Sequence, residues 1–178
     1  MVVIRLEREA DRAAAEAIVA DAFGPGRFAK SAYRLREGVK QIDALSFVAD
    51  DGGRIIGTVR YWPIDIGGKP ALMLGPIAIV AAMQGKGHAV ALMKTSLEEA
   101  RKLGHRAVVL VGDEPYYARA GFKRIQPYGR ITMPGPVDYA RLLGLALIEG
   151  ALDELKGEIR KARLDERVVA PGAPLAMR

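Results

Sequence analysis

The residues of this sequence best placed for chemistry lie in one short turn, Gln84-Gly85-Lys86-Gly87-His88-Ala89. The turn follows an apolar run and precedes a segment with apolar residues at helical spacing. A glycine-containing turn at a helix start exposes backbone N–H groups, and the helix dipole adds partial positive charge there. Because such helix starts bind anions, the sequence predicts an anion site at this turn.

Three phosphate-binding patterns can be compared with the turn. The pattern Gly-x-x-x-x-Gly-Lys-Ser/Thr fails because Gly87 occupies the position of its Ser or Thr. The dinucleotide pattern Gly-x-Gly-x-x-Gly fails at Val90, and the strand before it follows a hairpin instead of opening a strand–helix–strand unit. The third pattern, Gln/Arg-x-x-Gly-x-Gly/Ala, is matched in full by Gln84, Gly87 and Ala89.

A second segment, Tyr116-Tyr117-Ala118-Arg119-Ala120-Gly121-Phe122, follows the next apolar strand. Together the two segments resemble the GNAT superfamily of acyl-CoA-dependent N-acetyltransferases. In that superfamily the first pattern is the coenzyme A pyrophosphate loop, and the second closes the far wall of the cofactor cleft. The resemblance extends over about residues 2–148, and GPGRFAKSAYRLREG, LGPIAI and VVLVGDEPYYARAGF are similar to the bacterial YhbS-like branch.

The resemblance implies acetyl-CoA as co-substrate and no metal. Backbone N–H groups of the loop would hold the pyrophosphate, and the pantetheine arm would lie along the strand before the loop. The implied cofactor-binding residues are Ile77, Ala78, Ile79, Gln84, Gly85, Lys86, Gly87, His88, Ala89, Val90, Tyr117 and Arg119. For the turn alone, the alternative is a plain strand-to-helix connection with a solvated lysine.

The catalytic residue that the resemblance implies is Tyr117, at the superfamily's acid position four residues before Gly121. A tyrosine hydroxyl has an ordinary pKa of about 10 and can donate its proton to a departing thiolate. The alternative role is a packed tyrosine with a local hydrogen bond. Many relatives carry a glutamate base on the strand before the loop, but residues 71–80 contain no acid. Asp113 lies near the cleft and is predicted to cap a short helix.

The acceptor implied by the resemblance is a small-molecule or peptide amine, held by the segment after the first helix. The implied substrate-binding residues are Phe23, Arg27, Phe28 and Tyr33, and Arg36 is a further lining candidate. Arg27 and Arg36 would favour an acceptor that carries a carboxylate or phosphate. The alternative for both is an arginine on a solvated surface.

These residues need a sheet and helices to position them. The periodicity predicts a first strand at residues 2–6, helices at 9–23 and about 29–38, and three antiparallel strands within 45–80. A helix, a strand, a short helix and further strands at RITM and ARLLGLALI follow. The fold class is therefore α/β, with a mixed α+β sheet. From the resemblance, this sheet is mostly antiparallel, splayed at the cofactor strand and flanked by helices. Residues 1–149 are predicted to form the acetyltransferase domain, and 150–178 an extension of uncertain structure.

Composition limits the classes of function. Half of the 178 residues are apolar, which is enough for the core of one domain. The chain has no cysteine, so disulfides, thiolate metal sites and cysteine nucleophiles are excluded. The net charge is +6, but the sequence has no basic block interleaved with aromatics of the kind that would indicate nucleic-acid binding. It also has no apolar stretch long enough to indicate a membrane partner. The start of the chain has no signal-peptide pattern, so a cytoplasmic protein is predicted.

Three classes of function follow. The leading hypothesis is an N-acetyltransferase that moves an acetyl group from acetyl-CoA to a primary amine by direct attack in a ternary complex. The second is a non-catalytic CoA- or acyl-CoA-binding sensor or interaction protein on the same fold. The weakest is nucleic-acid binding through the +6 charge. A homodimer is common in the superfamily, and the sequence leaves it open.

Overall fold

The computed structural model describes residues 1–162. Its strands are β1 (Val2–Leu6), β2 (Phe47–Asp51), β3 (Arg54–Ile66), β4 (Lys69–Ile79), β5 (Ala107–Val111), β6 (Lys123–Arg124), β7 (Ile131–Thr132), β8 (Leu142–Ala146) and β9 (Gly157–Lys161). Its α-helices are α1 (Arg12–Phe23), α2 (Ser31–Arg34), α3 (His88–Lys102) and α4 (Glu114–Tyr117).

The strands form one sheet in the order β1-β2-β3-β4-β5-β8-β6. Neighbours along this path are antiparallel except β4 and β5, which are parallel. Residues 72–73 of β4 pair with residues 108–109 of β5, and within residues 1–162 the pairing of these two strands ends there. Beyond this point both strands continue, so a gap opens between them. The predicted mixed sheet that splays at the strand before the glycine turn is confirmed.

A bulge in β4 lies at the start of this gap. Leu74 pairs with Tyr61 and Ile77 pairs with Val59, so Gly75 and Pro76 interrupt the regular register with β3. A bulge bends its strand and increases the local twist. The Trp62 Nε1–H donates to the carbonyl oxygen of Gly75 at 2.6 Å, which ties the bulge to β3.

Helices cover both faces of the sheet, and the side chains of β4 alternate between these two faces. Ile77 and Ile79 belong to the core that α3 covers, whereas Ala78 packs against Ile18 and Val19 of α1. The buried positions of α3 recur at the spacing of an amphipathic helix and are Ala89, Leu92, Met93, Ser96, Leu97 and Ala100.

An ion-pair network attaches α1 to the sheet. Arg60 of β3 is 5% exposed, and its Nε and Nη2 each donate to a carboxylate oxygen of Glu7 at 3.0 Å. The remaining Nη1 of Arg60 donates to Glu16 of α1. A guanidinium bound in this bidentate way is held firmly, so the first half of α1, around Glu16, has a fixed position against β3.

The predicted second helix is much shorter than expected. Instead of 29–38, the chain forms a 3-10 turn at Pro25–Ala29 and then the four-residue α2. After α2, the N–H of Arg36 bonds to the carbonyl of Tyr33 at 3.0 Å, an i→i−3 bond that tightens the backbone out of the α-helix.

The C-terminal part of the described chain joins the sheet. The strand predicted at ARLLGLALI is β8, and a 3-10 turn at Tyr139–Arg141 precedes it. Within the predicted extension, β9 pairs antiparallel with β3 and parallel with β7. The rest of that extension, 163–178, lies outside the described residues. Over residues 1–162, no helix has both the length and the apolar character needed to cross a membrane.

Candidate active site

The glycine turn presents unpaired backbone donors at the start of α3. Gly87 is the N-cap residue with φ +86°, and Gly85 has φ +76°. These positive φ angles favour glycine. The first backbone bond of the helix runs from the N–H of Ala91 to the carbonyl of Gly87 at 3.0 Å, so the N–H groups of residues 88–90 have no acceptor in the described chain. The first turn of α3 carries no acid, so the positive end of its dipole is open to an anion.

Gln84 attaches this turn to the end of β4. Its Nε2–H donates to the carbonyl oxygen of Ile79 at 3.1 Å. This contact holds the loop beside the strand, a role that the sequence pattern alone does not reveal.

The backbone of β4 faces the gap at alternate residues. The N–H of Val80 donates to Ile56 of β3 at 2.9 Å, so by alternation the backbone of Ala78 also faces β3. The N–H groups of Ile77 and Ile79 therefore point into the gap. Ala78 lines the loop cavity, but its own N–H and carbonyl groups face β3.

Two cavities lie along the gap. The loop cavity has a volume of about 460 Å³ and is lined by Ala22, Phe23, Ile77, Ala78, Ile79, Met83, Gln84, Gly85, Gly87, His88, Ala89, Val90, Tyr116, Tyr117 and Arg119. The wide cavity has a volume of about 850 Å³ and lies between the segment after α1, the bulge of β4, and the chain around β5 and β8. The residues that line both are Phe23, Ile77, Tyr116 and Tyr117. The cavities are thus two arms of one cleft that meet beside Tyr117.

Tyr117 is packed at this junction with a strongly perturbed hydroxyl. Its ring makes edge contacts with Tyr116 and Phe122 at centroid distances of 5.0 and 6.2 Å. Burial raises the pKa of Tyr117 to about 12, with Tyr116 adding to the rise and Arg141 opposing it. The hydroxyl is therefore protonated throughout the physiological pH range and can act only as an acid or a hydrogen-bond donor and acceptor.

The cleft thus combines a helix start with free N–H groups, a gap between two strands and a partly buried tyrosine. The model of the acetyltransferase (GNAT) family matches residues 12–122. The chain belongs to the GNAT family. This membership confirms the superfamily resemblance that the two sequence motifs predicted.

Known relatives of this GNAT chain include bacterial proteins of similar length. The Escherichia coli protein YhbS, described as an uncharacterised N-acetyltransferase, is 33% identical over 124 residues, which is 68% of this chain and 73% of YhbS. The crystal structure of E. coli YhbS in complex with CoA superposes with a TM-score of 0.76 at 27% identity, covering 96% of this chain and 95% of that one. A GNAT acetyltransferase from Brucella melitensis in complex with acetyl-CoA superposes with a TM-score of 0.67 at 28% identity, covering 91% and 96%.

Most of the predicted cofactor residues of this GNAT chain line the loop cavity. The exception is Lys86, whose Nζ lies 3.7 Å from the Sδ of Met83 on the exposed side of the turn. The family resemblance placed Lys86 at the site because it lies inside the six-residue loop pattern. It did not name Ala22, Phe23, Met83 or Tyr116 for this cavity, because their contribution depends on how α1 and α4 pack.

Three of the four predicted substrate-binding residues, Phe23, Arg27 and Tyr33, line the wide cavity. Phe28 does not; it is 57% exposed, and the guanidinium carbon of Arg27 lies 4.2 Å from its ring centroid. The prediction for Phe28 as a lining residue is corrected accordingly. The lining residues missed beyond residue 130 are Met133, Pro136, Val137, Asp138 and Arg141. They carry no motif, and only the position of β8 beside β5 brings their segment to the cleft.

Asp113 occupies the predicted N-cap position of α4, but its side chain does not cap the helix. Its Oδ1 instead accepts a hydrogen bond from Nε of Arg141 at 3.1 Å. Arg141, which binds this carboxylate in place of the helix N–H groups, lies 28 residues further along the chain. A local sequence pattern therefore predicted the wrong partner. Among residues 1–162, no group of three or more His, Asp or Glu side chains is arranged to hold a metal ion.

The position of the Tyr117 ring depends on the absence of a side chain at Gly112. A Cβ there would overlap Cε2 of Tyr117 and lie 2.8 Å from its Cδ2. The backbone cannot yield easily, because the Gly112 N–H donates to the carbonyl of Arg141 at 2.9 Å. We expect Gly112→Ala to lower kcat by about tenfold or more by displacing the Tyr117 ring, with the Kd for acetyl-CoA changed by less than about threefold.

The measurement is steady-state kinetics beside calorimetric titration of acetyl-CoA. Gly26→Ala is the matched control, because a Cβ at Gly26 meets no atom within 4 Å. Equal kcat values for the two alanine variants would show that the ring position does not matter.

Proposed function

We propose that this chain transfers the acetyl group of acetyl-CoA to a primary amine by direct attack in a ternary complex. The observation that carries the proposal is the junction of the two cavities at Tyr117, beside the open backbone of β4. One arm has the features of an anion-binding loop, and the other is wide enough for a second substrate. Two substrates entering from the two arms would meet at the tyrosine.

The residues of the loop cavity fit coenzyme A. Its pyrophosphate needs closely spaced donors, and the unpaired N–H groups of residues 88–90 supply them. A Cβ at Gly87 would meet no atom within 4 Å, so the space in front of the turn is free for a ligand. The pantetheine arm carries amides, and the N–H groups of Ile77 and Ile79 face the gap where it would lie.

Bound acetyl-CoA supplies the thioester whose acetyl carbon the amine attacks. A C–N bond forms, the C–S bond breaks, and the departing thiolate takes a proton. Tyr117 holds that proton at its Oη beside the cavity junction. The proton that the amine nitrogen loses passes to water, from which the tyrosine is reprotonated.

The charges that line the wide cavity favour the unprotonated form of a bound amine, so the reaction does not need a dedicated general base. Four cations, Arg27, Lys30, Arg36 and Arg141, line it, against the two carboxylates Asp113 and Asp138. Asp113 and Arg141 pair with each other, which leaves three cations against one carboxylate. Nearby positive charge lowers the pKa of a bound ammonium group, so the acceptor loses its proton more easily there than in water. This property compensates for the missing acid on β4.

The experiment is calorimetric titration of acetyl-CoA followed by assay of thiol release with a panel of amines. Micromolar binding with amine-dependent release supports the acetyltransferase. Binding with no release from any amine would favour the second candidate, a CoA-binding sensor, which the absence of a strand carboxylate makes chemically reasonable. No binding at moderate salt would overturn both.

A further inference from the structure

An arginine in the wide cavity has buried nitrogen atoms with no partner. Nε and Nη1 of Arg36 are shielded from solvent, and within residues 1–162 neither has a hydrogen-bond partner. The described chain also places no carboxylate within ion-pair distance of this guanidinium. An unsatisfied buried charged group is costly and requires an explanation.

Aromatic rings hold the guanidinium of Arg36 in place. Its central carbon lies 4.4 Å from the ring centroid of Tyr33 and 5.7 Å from that of Trp62. Rings fix the plane of a guanidinium but accept none of its in-plane hydrogen bonds. The guanidinium is therefore oriented in advance, and its Nη2, which is not among the shielded nitrogens, is the atom left to meet a ligand oxygen in the wide cavity.

The guanidinium lies next to the bulge of β4. A Cβ on Gly75 would be 2.7 Å from Nη2 of Arg36. Gly75 precedes Ile77 by two residues across the bulge, a stretch of chain that spans at most about 7 Å, and Ile77 lines both cavities. Arg36 is thus within the length of a small molecule from the place where the amine must react.

The surrounding charges favour an anion at this position. Among its cationic neighbours in the cavity, Arg27 also has a buried Nε without a partner in the described chain, while its Nη1 donates to the carbonyl of Gly24 at 2.6 Å. Burial lowers the pKa of Arg36 to about 10, and Tyr33 offsets only part of that effect. A bound anion would reverse this shift by supplying the missing countercharge.

We propose that the acceptor is a small amine that also carries a carboxylate or phosphate, and that Arg36 binds this anion. The inference rests on the proposed function, because it takes the wide cavity as the acceptor site. An anionic group that accepts two N–H donors from one arginine gives both affinity and orientation. The amine would then be held at a fixed distance from the anion and directed toward Tyr117.

The test compares matched pairs of amines that differ in the anion alone. β-Alanine is paired with β-alaninamide, and phosphoethanolamine with ethanolamine, so that the carboxylate and the phosphate are tested separately. Each compound is titrated calorimetrically into the protein saturated with CoA. For wild type we expect the anionic member of at least one pair to bind about 10- to 100-fold more tightly than its neutral partner.

Arg36→Met removes the charge but keeps a long apolar side chain. We expect it to abolish the preference for the anion, so that both members of a pair bind about equally tightly. Arg36→Lys should retain part of the preference, because it keeps the charge but loses the planar fork. The control is Arg54→Met at an exposed arginine of β3, which should leave the preference unchanged. Equal binding within both pairs, absence of binding by all four compounds, or a preference that persists in Arg36→Met would each overturn the proposal.

Thermal unfolding separates a binding role from a structural one. Without ligand, Arg36→Met removes a buried charge that lacks a partner, so we expect Tm to rise by about 2–4 °C. A lower Tm, with anion preference intact, would assign Arg36 to stability alone. Titration of acetyl-CoA is the independent check on the proposed function. If acetyl-CoA does not bind, the same amine pairs titrated into the protein without CoA still test Arg36.

Discussion

Substitution of Gly87 by glutamate should abolish measurable binding of acetyl-CoA, which means a loss of at least about 100-fold in affinity. The new carboxylate would project into the space in front of α3, where a Cβ meets no atom within 4 Å. It would compete for the free N–H groups of residues 88–90 and repel the pyrophosphate at short range. The measurement is calorimetric titration of acetyl-CoA into both proteins.

The matched control for this substitution is Gly129→Glu. Gly129 has φ +89°, close to the +86° of Gly87, and its Cβ would also meet no atom within 4 Å. Both variants therefore carry the same added charge and a similar backbone strain of about 1–2 kcal/mol, but Gly129 lines neither cavity. The proposed loop site is contradicted if the two variants bind acetyl-CoA equally well.

The elements nearest the loop were predictable because their signals are local. The predicted anion-binding turn needs residues that readily adopt positive φ, and the sequence supplies Gly85 and Gly87, which both do so in the structure. The helix after the turn follows from apolar residues at a spacing of three and four. The gap between β4 and β5 is different, since it came from the family resemblance and not from the residues of either strand.

The parts of the site that depend on distant contacts could not be predicted. Asp113 has the sequence context of a helix cap, but Arg141 takes its side chain. Lys86 and Phe28 belong to the correct segments but line neither cavity, because the sequence of a turn or a 3-10 segment does not reveal the direction of each side chain. Arg36 was named among candidates for an anion, but the burial of its nitrogens required the positions of Tyr33 and Trp62.

The cleft thus divides its chemistry between backbone and side chains. Main-chain donors of α3 and β4 face the loop cavity, and they depend little on side-chain identity beyond the glycines. Side-chain charges concentrate in the wide cavity, where four cations outnumber two carboxylates. Substitutions in the first arm should therefore change affinity for the cofactor, and those in the second should change the choice of acceptor.

Replacement of Tyr117 by phenylalanine should lower kcat by about 100-fold or more, because the thiolate would leave without a proton donor. The KM for acetyl-CoA should change by less than about threefold, since the ring and its contacts with Tyr116 and Phe122 remain. Tyr128→Phe is the control, at a 50% exposed tyrosine that lines neither cavity. A kcat for Tyr117→Phe equal to that of this control would refute the acid role.

The pH profile supplies a second readout for the same tyrosine. A general acid acts in its protonated form, so its contribution is lost as pH rises through its pKa. Burial raises the pKa of Tyr117 to about 12, which places that loss above the usual assay range. We therefore expect the kcat of wild type and the kcat of Tyr117→Phe to depend on pH in the same way between pH 8 and about 10.5. A decline near pH 10, the ordinary tyrosine pKa, that disappears in the variant would mean that the hydroxyl is solvated when the cleft is filled. The packing described for Tyr117 would then not be the arrangement that performs the reaction.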